Sequence, residues 1–242
     1  MARLLEPGLG LAKGERVVAK IYDPLYFDDD GYLNPFLCVD MNYTHEVATY
    51  TALSDLQGSV IPKYYGSFTL DIPVRPSTTR CVRLILIEFI LGLPMQDASP
   101  ERFSQLARQQ IIKAVVDFET MLYAQDIVHR DLHPRNIMLT NTDTHKERRA
   151  VFIDFGHVRF GRISHYPNYP VAESAFFPKT YISPLLRWHG AHRPAFKFGD
   201  WVDWDWQPWL EEQYGHTAAS ITKEMRNLFL SDSRLQSVKK YR

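Results

Sequence analysis

The chain has 242 residues, with 28 basic and 28 acidic side chains and a formal charge of zero. A 45% hydrophobic and 13% aromatic composition can bury a core, either in one large domain or in two small lobes. The charge balance excludes a general basic field for nucleic acid, two cysteines exclude a disulfide scaffold, and the longest apolar stretch is too short to span a bilayer. The expectation is a soluble, cytoplasmic protein with neither a nucleic-acid nor a membrane partner.

Residues 16–22 read as a strand in which Val17, Val18, Ala19 and Ile21 surround Lys20, entered through Gly8, Gly10 and Gly14. Residues 23–35 read as a loop, carrying an Asp28-Asp29-Asp30-Gly31 turn and Asn34-Pro35. The spacing of Val47, Tyr50 and Leu53 predicts a helix over about 42–56, with Gly58 just past its end. Strands follow at 63–70 and 82–89, separated by a Pro-containing connector over 71–80. Gly92 and Pro94 interrupt the pattern, which places a hinge between a sheet-and-helix lobe, 1–90, and a helical lobe, 91–242.

Ser99-Pro100-Glu101 has the hydroxyl cap, first-turn proline and acid of a helix start, and the apolar spacing continues to about Ala124. Residues 137–139 and 150–153 read as a short strand pair bridged by the polar tract 140–149. After Gly156 the pattern is irregular. A last helix is predicted over 218–230, followed by a basic tail after Val238.

Two stretches carry chemistry: Val128-His129-Arg130-Asp131-Leu132-His133-Pro134-Arg135-Asn136, and Asp154-Phe155-Gly156. One loop offers a carboxylate, Asp131, and then a carboxamide, Asn136; a second carboxylate, Asp154, waits beyond the strand pair. Singly, a capping Asp, a turn Asn and a turn Asp are ordinary. Together they form the oxygen-ligand set that aligns a hydroxyl with a metal-bound triphosphate.

The order of strand with Lys, helix with Glu, apolar strand, long helix, His-Arg-Asp loop and Asp-Phe-Gly resembles the protein-kinase-like superfamily over about residues 15–156. The segments Ala19-Lys20-Ile21-Tyr22-Asp23-Pro24, Tyr32-Leu33-Asn34-Pro35-Phe36, Pro62-Lys63-Tyr64-Tyr65-Gly66 and Ile87-Glu88-Phe89 are also similar to a fungal family of small kinase-like proteins. The resemblance implies a two-lobe α+β fold using ATP and Mg²⁺. Asp131 would accept or orient the proton of the attacking hydroxyl, while Asn136 and Asp154 would hold Mg²⁺. Lys20 would contact the α- and β-phosphates, with Glu46 as its ion-pair partner. Glu88, Phe89 and Ile90 would form the adenine-binding hinge. His129 and Arg130 would be structural.

Three departures qualify that pattern. No Gly-x-Gly-x-x-Gly loop lies at the right distance before Lys20, so the first lobe reads as truncated at its start. His133 stands near the γ-phosphate where protein kinases carry a lysine, and Asp131-Leu132-His133-Pro134 is similar to the loop of aminoglycoside and choline phosphotransferases. The stretch after Gly156 lacks Ala-Pro-Glu and is short for a full helical lobe. The implied partners are a nucleotide and a hydroxyl-bearing acceptor, small molecule or protein; the alternative is a pseudokinase or scaffolding module. Trp201, Trp204, Trp206 and Trp209, interleaved with Asp200, Asp203 and Asp205, are expected to pack the shortened lobe; the competing reading is recognition of a cation.

Overall fold

A computed structural model describes residues 2–3, 11, 14–27, 33–141, 148–162, 177–190 and 197–229. Gly8, Gly10, the Asp28-Asp29-Asp30-Gly31 turn, the centre of the 140–149 tract, His192 and the basic tail after Val238 lie outside those residues. The described elements mix helix and strand in an α+β fold. In chain order the strands are β1 (Ala2–Arg3), β2 (Arg16–Tyr22), β3 (Tyr64–Arg75), β4 (Thr78–Glu88), β5 (Leu93–Pro94), β6 (Ile127–His129), β7 (Ile137–Asn141), β8 (Arg148–Phe152) and β9 (Val158–Phe160). The helices are α1 (Pro35–Ala52), α2 (Gln105–Ala124), α3 (Pro184–Arg187), α4 (Trp206–Tyr214) and α5 (Lys223–Phe229). Two compact units emerge: Met1–Asp97 with Arg130–Val158, and Ala98–His129 with Arg159–Arg242.

In the first unit, β1, β2, β4 and β3 form an antiparallel sheet in that order, with Lys20 opposite Ile85 and Val17 opposite Glu88. β3 and β4 are one long hairpin. The expected connector is its paired tip, where Asp71 faces Cys81 and Arg75 faces Thr78. Pro73 hid this from the pattern, because it cannot donate to a ladder; the register shifts beside it, at the bulge between Pro73 and Arg75.

Helix α1 begins seven residues before the expected start, at Pro35 rather than 42. Asn34 is its cap, accepting from the Phe36 and Leu37 amides at 3.0 and 3.4 Å, and Pro35 supplies the fixed φ of a first helical residue. Its buried stripe is Val39, Glu46, Thr49 and Tyr50, half of it polar, so apolar periodicity marks the helix poorly. The β5-β7-β8 sheet completes the unit, with Ile137, Leu139, Val151 and Phe152 buried. The chain passes β7 so closely at Gly92 that a Cβ there would meet the Leu139 carbonyl oxygen at 2.7 Å.

The second unit is built on α2. The Ser99-Pro100-Glu101 signal yields only a 3₁₀ turn, Pro100–Arg102; the α-helix starts after a second hydroxyl, Ser104, whose Oγ accepts from the Ala107 amide at 3.2 Å. Ile111, Ile112, Val115, Val116, Phe118 and Leu122 form its buried face. Glu119 binds the buried Arg187 and the Trp188 indole N–H, and Arg187 lies 3.6 Å from the Tyr123 ring centroid. Trp188, Trp206 and Trp209 pack ring on ring and, with Trp201, are core, while the partly buried Trp204 tilts against Trp209 at 5.7 Å. α4 lay unrecognised within that cluster. The expected helix over 218–230 is split, since Gly215–Ser220 winds as 3₁₀ and Thr222 Oγ1 accepts from the Met225 amide at the start of α5.

Candidate functional site

The side chains of interest all belong to the first unit. Strand alternation puts Lys20 and Tyr22 on the same side of β2, and the buried stripe of α1 carries Glu46. Lys20 Nζ lies 2.5 Å from Glu46 Oε2 and 2.6 Å from Asp154 Oδ1. Tyr22 donates its hydroxyl to the same Glu46 oxygen at 2.6 Å. Glu46 is fully buried, and among the described residues its Oε1 has no hydrogen-bond partner.

Electrostatics follow from this crowding. Burial by itself lowers the Lys20 pKa, but Glu46 and Asp154 more than offset it and hold the ammonium above its ordinary value. Burial raises Asp154; Lys20 prevails and keeps the carboxyl below its ordinary value. Desolvation, reinforced by the Glu46 charge, pushes the Tyr22 and Tyr50 phenols up, which keeps the Tyr22 hydroxyl a donor to Glu46.

Asp154 is held by backbone as well as charge. Its φ of 64° lies in the left-handed region, which Asp tolerates better than most residues and which clusters at functional sites. Phe155 is completely buried, edge-on to Tyr50 of α1 at 5.3 Å, and Tyr50 stacks in turn on Tyr64 of β3. A Cβ on Gly156 would stand 3.3 Å from Asn42 of the same helix. The Asp-Phe-Gly segment is thus seated against α1, the helix that carries Glu46.

The second half of the site is the Asp131–Asn136 loop. Asn136 closes the 3₁₀ turn Pro134–Asn136, and its amide nitrogen donates to the Asp131 carbonyl at 2.9 Å and carboxylate at 2.8 Å. That leaves the carboxamide oxygen turned away from Asp131. The β7–β8 register pairs Ile137 with Phe152, and one step further the Ile153 amide donates to the Asn136 carbonyl at 3.0 Å. Hairpin pairing therefore brings the residues flanking Asp154 alongside Asn136. His133 caps the turn, its Nδ1 accepting from the Arg135 amide at 3.4 Å. Arg135 Nη2 donates to both Asp131 oxygens, at 2.6 and 2.8 Å.

Glu88 ends β4, its amide donating to the Lys63 carbonyl and its Oε2 accepting from the Lys63 amide at 3.0 Å. Phe89 and Ile90 lie just beyond the ladder, and Arg16 stacks over Phe89 at 4.5 Å. These three residues line a cavity of about 280 Å³ with Ile61, Thr140 and Val151. A larger one, about 480 Å³, is lined by Lys20, Tyr22, Phe27, Asn42, Asp154 and His157 among others. Sequence reasoning missed Tyr22 and Arg135; their signals were positional, two residues from Lys20 on a strand and four from Asp131 in a tight turn. Among the described residues no cluster of three or more His, Cys, Asp or Glu could hold a metal alone, and no helix is long and apolar enough to cross a membrane.

Residues 33–173, more than half of the chain, match the family described as the ABC1 atypical kinase-like domain. The Caenorhabditis elegans serine/threonine-protein kinase/endoribonuclease ire-1 is 41% identical over 51 residues, 21% of this chain and 5% of that protein. The Xenopus laevis dual serine/threonine and tyrosine protein kinase is 30% identical over 120 residues, 50% of this chain and 11% of that protein. Among solved structures, the Rad53 kinase domain with SCD2 is similar at 18% identity and a TM-score of 0.42, over 61% of this chain and 46% of that one. The chain spans only a small part of the two curated kinases. Glu46, Glu88, Asp131, Asn136 and Asp154 fall inside the family match and Lys20 precedes it. The chain belongs to the ABC1 atypical kinase-like family, within the protein-kinase-like superfamily.

Proposed function

We propose that the chain is an ATP-dependent phosphotransferase that moves the γ-phosphoryl group of Mg-ATP to a hydroxyl of a small molecule or protein. The observation that carries this reading is Lys20 Nζ bridging Glu46 and Asp154 at 2.5 and 2.6 Å, with Asn136 joined to the residue before Asp154. One ammonium between two carboxylates leaves the cluster net negative, which suits a divalent cation. The available donors, the Asp154 carboxylate and the Asn136 carboxamide oxygen, are hard oxygens. One or two such protein ligands, completed by phosphate oxygens and water, are what Mg²⁺ takes. When bound, the metal neutralises charge on the phosphates. Lys20 holds the phosphate chain electrostatically, while Glu46 and Tyr22 fix where Lys20 points.

Asp131 orients the acceptor hydroxyl and receives its proton as the oxygen attacks the γ-phosphorus and the bond to the β–γ bridging oxygen breaks, releasing ADP. Glu88, Phe89 and Ile90 supply the edge on which adenine is held. The test is thermal melting against Mg-ATP. A ligand that binds only the folded state must stabilise it, by about 2.7 kcal/mol at a hundred times its Kd. Expected is a metal-dependent rise that Asp154→Asn removes; no rise at millimolar nucleotide, with or without metal, overturns the reading. Arg135 lying on Asp131 favours a second reading, a nucleotide-binding scaffold without transfer. Stabilisation by Mg-ATP with the γ-phosphate left intact is its signature.

A further inference from the structure

Arg135 engages Asp131 through a single guanidinium nitrogen, Nη2. Its backbone is fixed by the 3₁₀ turn and by donation to His133 Nδ1. Among the described residues Nε and Nη1 of Arg135 have no hydrogen-bond partner, and the side chain is 52% exposed. The unpartnered Nε and Nη1 do not share an edge, since both donor forks of a guanidinium include Nη2, and each remains as a separate charge-assisted donor for an oxyanion oxygen. An acceptor that brings a hydroxyl to Asp131 brings its neighbouring atoms beside Arg135, whose Nη2 lies 2.6 and 2.8 Å from the two carboxylate oxygens.

We propose that Arg135 is a specificity-determining residue that selects acceptors bearing an anionic oxyacid group, a carboxylate or a phosphate, close to the hydroxyl. The inference rests on the phosphotransferase reading. Arg135 takes no part in the bond changes: the hydroxyl proton goes to Asp131, and ADP leaves. Its remaining N–H donors orient the acceptor's anion, and the same charge disfavours quaternary ammonium and polyamine acceptors.

The test is calorimetric titration of the protein, loaded with Mg²⁺ and a non-hydrolysable ATP analogue, with glycerate, glycerol 1-phosphate, glycerol and choline. Glycerate or glycerol 1-phosphate should bind at least about tenfold tighter than glycerol, with choline weakest; which of the two anions leads separates a carboxylate from a phosphate acceptor. Arg135→Ala should erase the preference and Arg135→Lys retain part of it, both with nearly unchanged melting because the pair is half exposed, and Arg135→Glu should reverse it. Equal affinities, an anion preference that persists in Arg135→Ala, or no binding of either anion to nucleotide-loaded protein overturns the inference while the phosphotransferase reading stands. Failure to load the nucleotide analogue at all overturns that reading, and this inference with it.

Discussion

Replacing Lys20 by methionine keeps the aliphatic stem and removes the cation between Glu46 and Asp154. Stripping a buried charge of its partner costs about 3–5 kcal/mol. Here Tyr22 still donates to Glu46, and the Lys20 and Asp154 side chains are 31% and 38% exposed, so water screens part of the loss. The Asp154 contact is worth no more than the roughly 0–1 kcal/mol of a surface pair. The net cost of Lys20→Met at pH 7 is therefore about 2–4 kcal/mol, carried mainly by Glu46.

Urea unfolding followed by circular dichroism reads this, and a cycle with Glu46→Gln isolates the pair, with an expected coupling of about 1.5–3 kcal/mol. The pH dependence is fixed in sign. Asp154 is held below its ordinary value, so its contribution is complete above about pH 4 and lost as pH falls through the folded-state value. Lys20 is held above its ordinary value, so its contribution is complete below about pH 10 and lost as pH rises further. The gap between wild type and variant should stay flat between roughly pH 5 and 9 and narrow at both ends. A cost under about 0.5 kcal/mol, or a coupling indistinguishable from zero, would refute the reasoning.

Tyr22→Phe removes one hydrogen bond from the buried Glu46 carboxylate and should cost about 1–2 kcal/mol in the same assay; a stabilised variant contradicts the bond. In the second unit, Glu119→Ala removes the carboxylate that binds the buried Arg187 and the Trp188 indole N–H, at an expected cost of about 1–3 kcal/mol. A melting temperature unchanged within a degree would show that this ion pair is dispensable. Gly92→Ala drives a Cβ to 2.7 Å from the Leu139 carbonyl, and about 1–3 kcal/mol of destabilisation should appear in urea unfolding. Wild-type stability there would mean the backbone gives way easily.

The closeness of Asp131 to Asn136 was legible because the two stand at a fixed spacing in one short motif. Lys20 and Glu46 were legible only through element order, since a strand lysine and a helical glutamate carry no signal alone. Tyr22 and Arg135 escaped because their roles are contacts made in three dimensions, with nothing unusual in the local sequence. Boundaries failed where two cues competed. Asn34-Pro35 serves a turn and a helix start equally well, and it is packing of the Val39–Tyr50 stripe that decides for the helix. Two hydroxyl caps, Ser99 and Ser104, compete for α2, and only the second opens the continuous apolar face. In α4, Trp206, Trp209 and Leu210 are buried at helical spacing, but the surrounding acids and Pro208, tolerated in a first turn, masked the period.

The fate of the γ-phosphate of Mg-ATP, followed in wild type and Asp131→Asn side by side, tests the central claim most directly. Turnover should fall by about a hundredfold or more in a variant that melts normally and still takes up Mg-ATP. Equal rates in the two proteins would contradict the role given to Asp131 and the chemistry built on it.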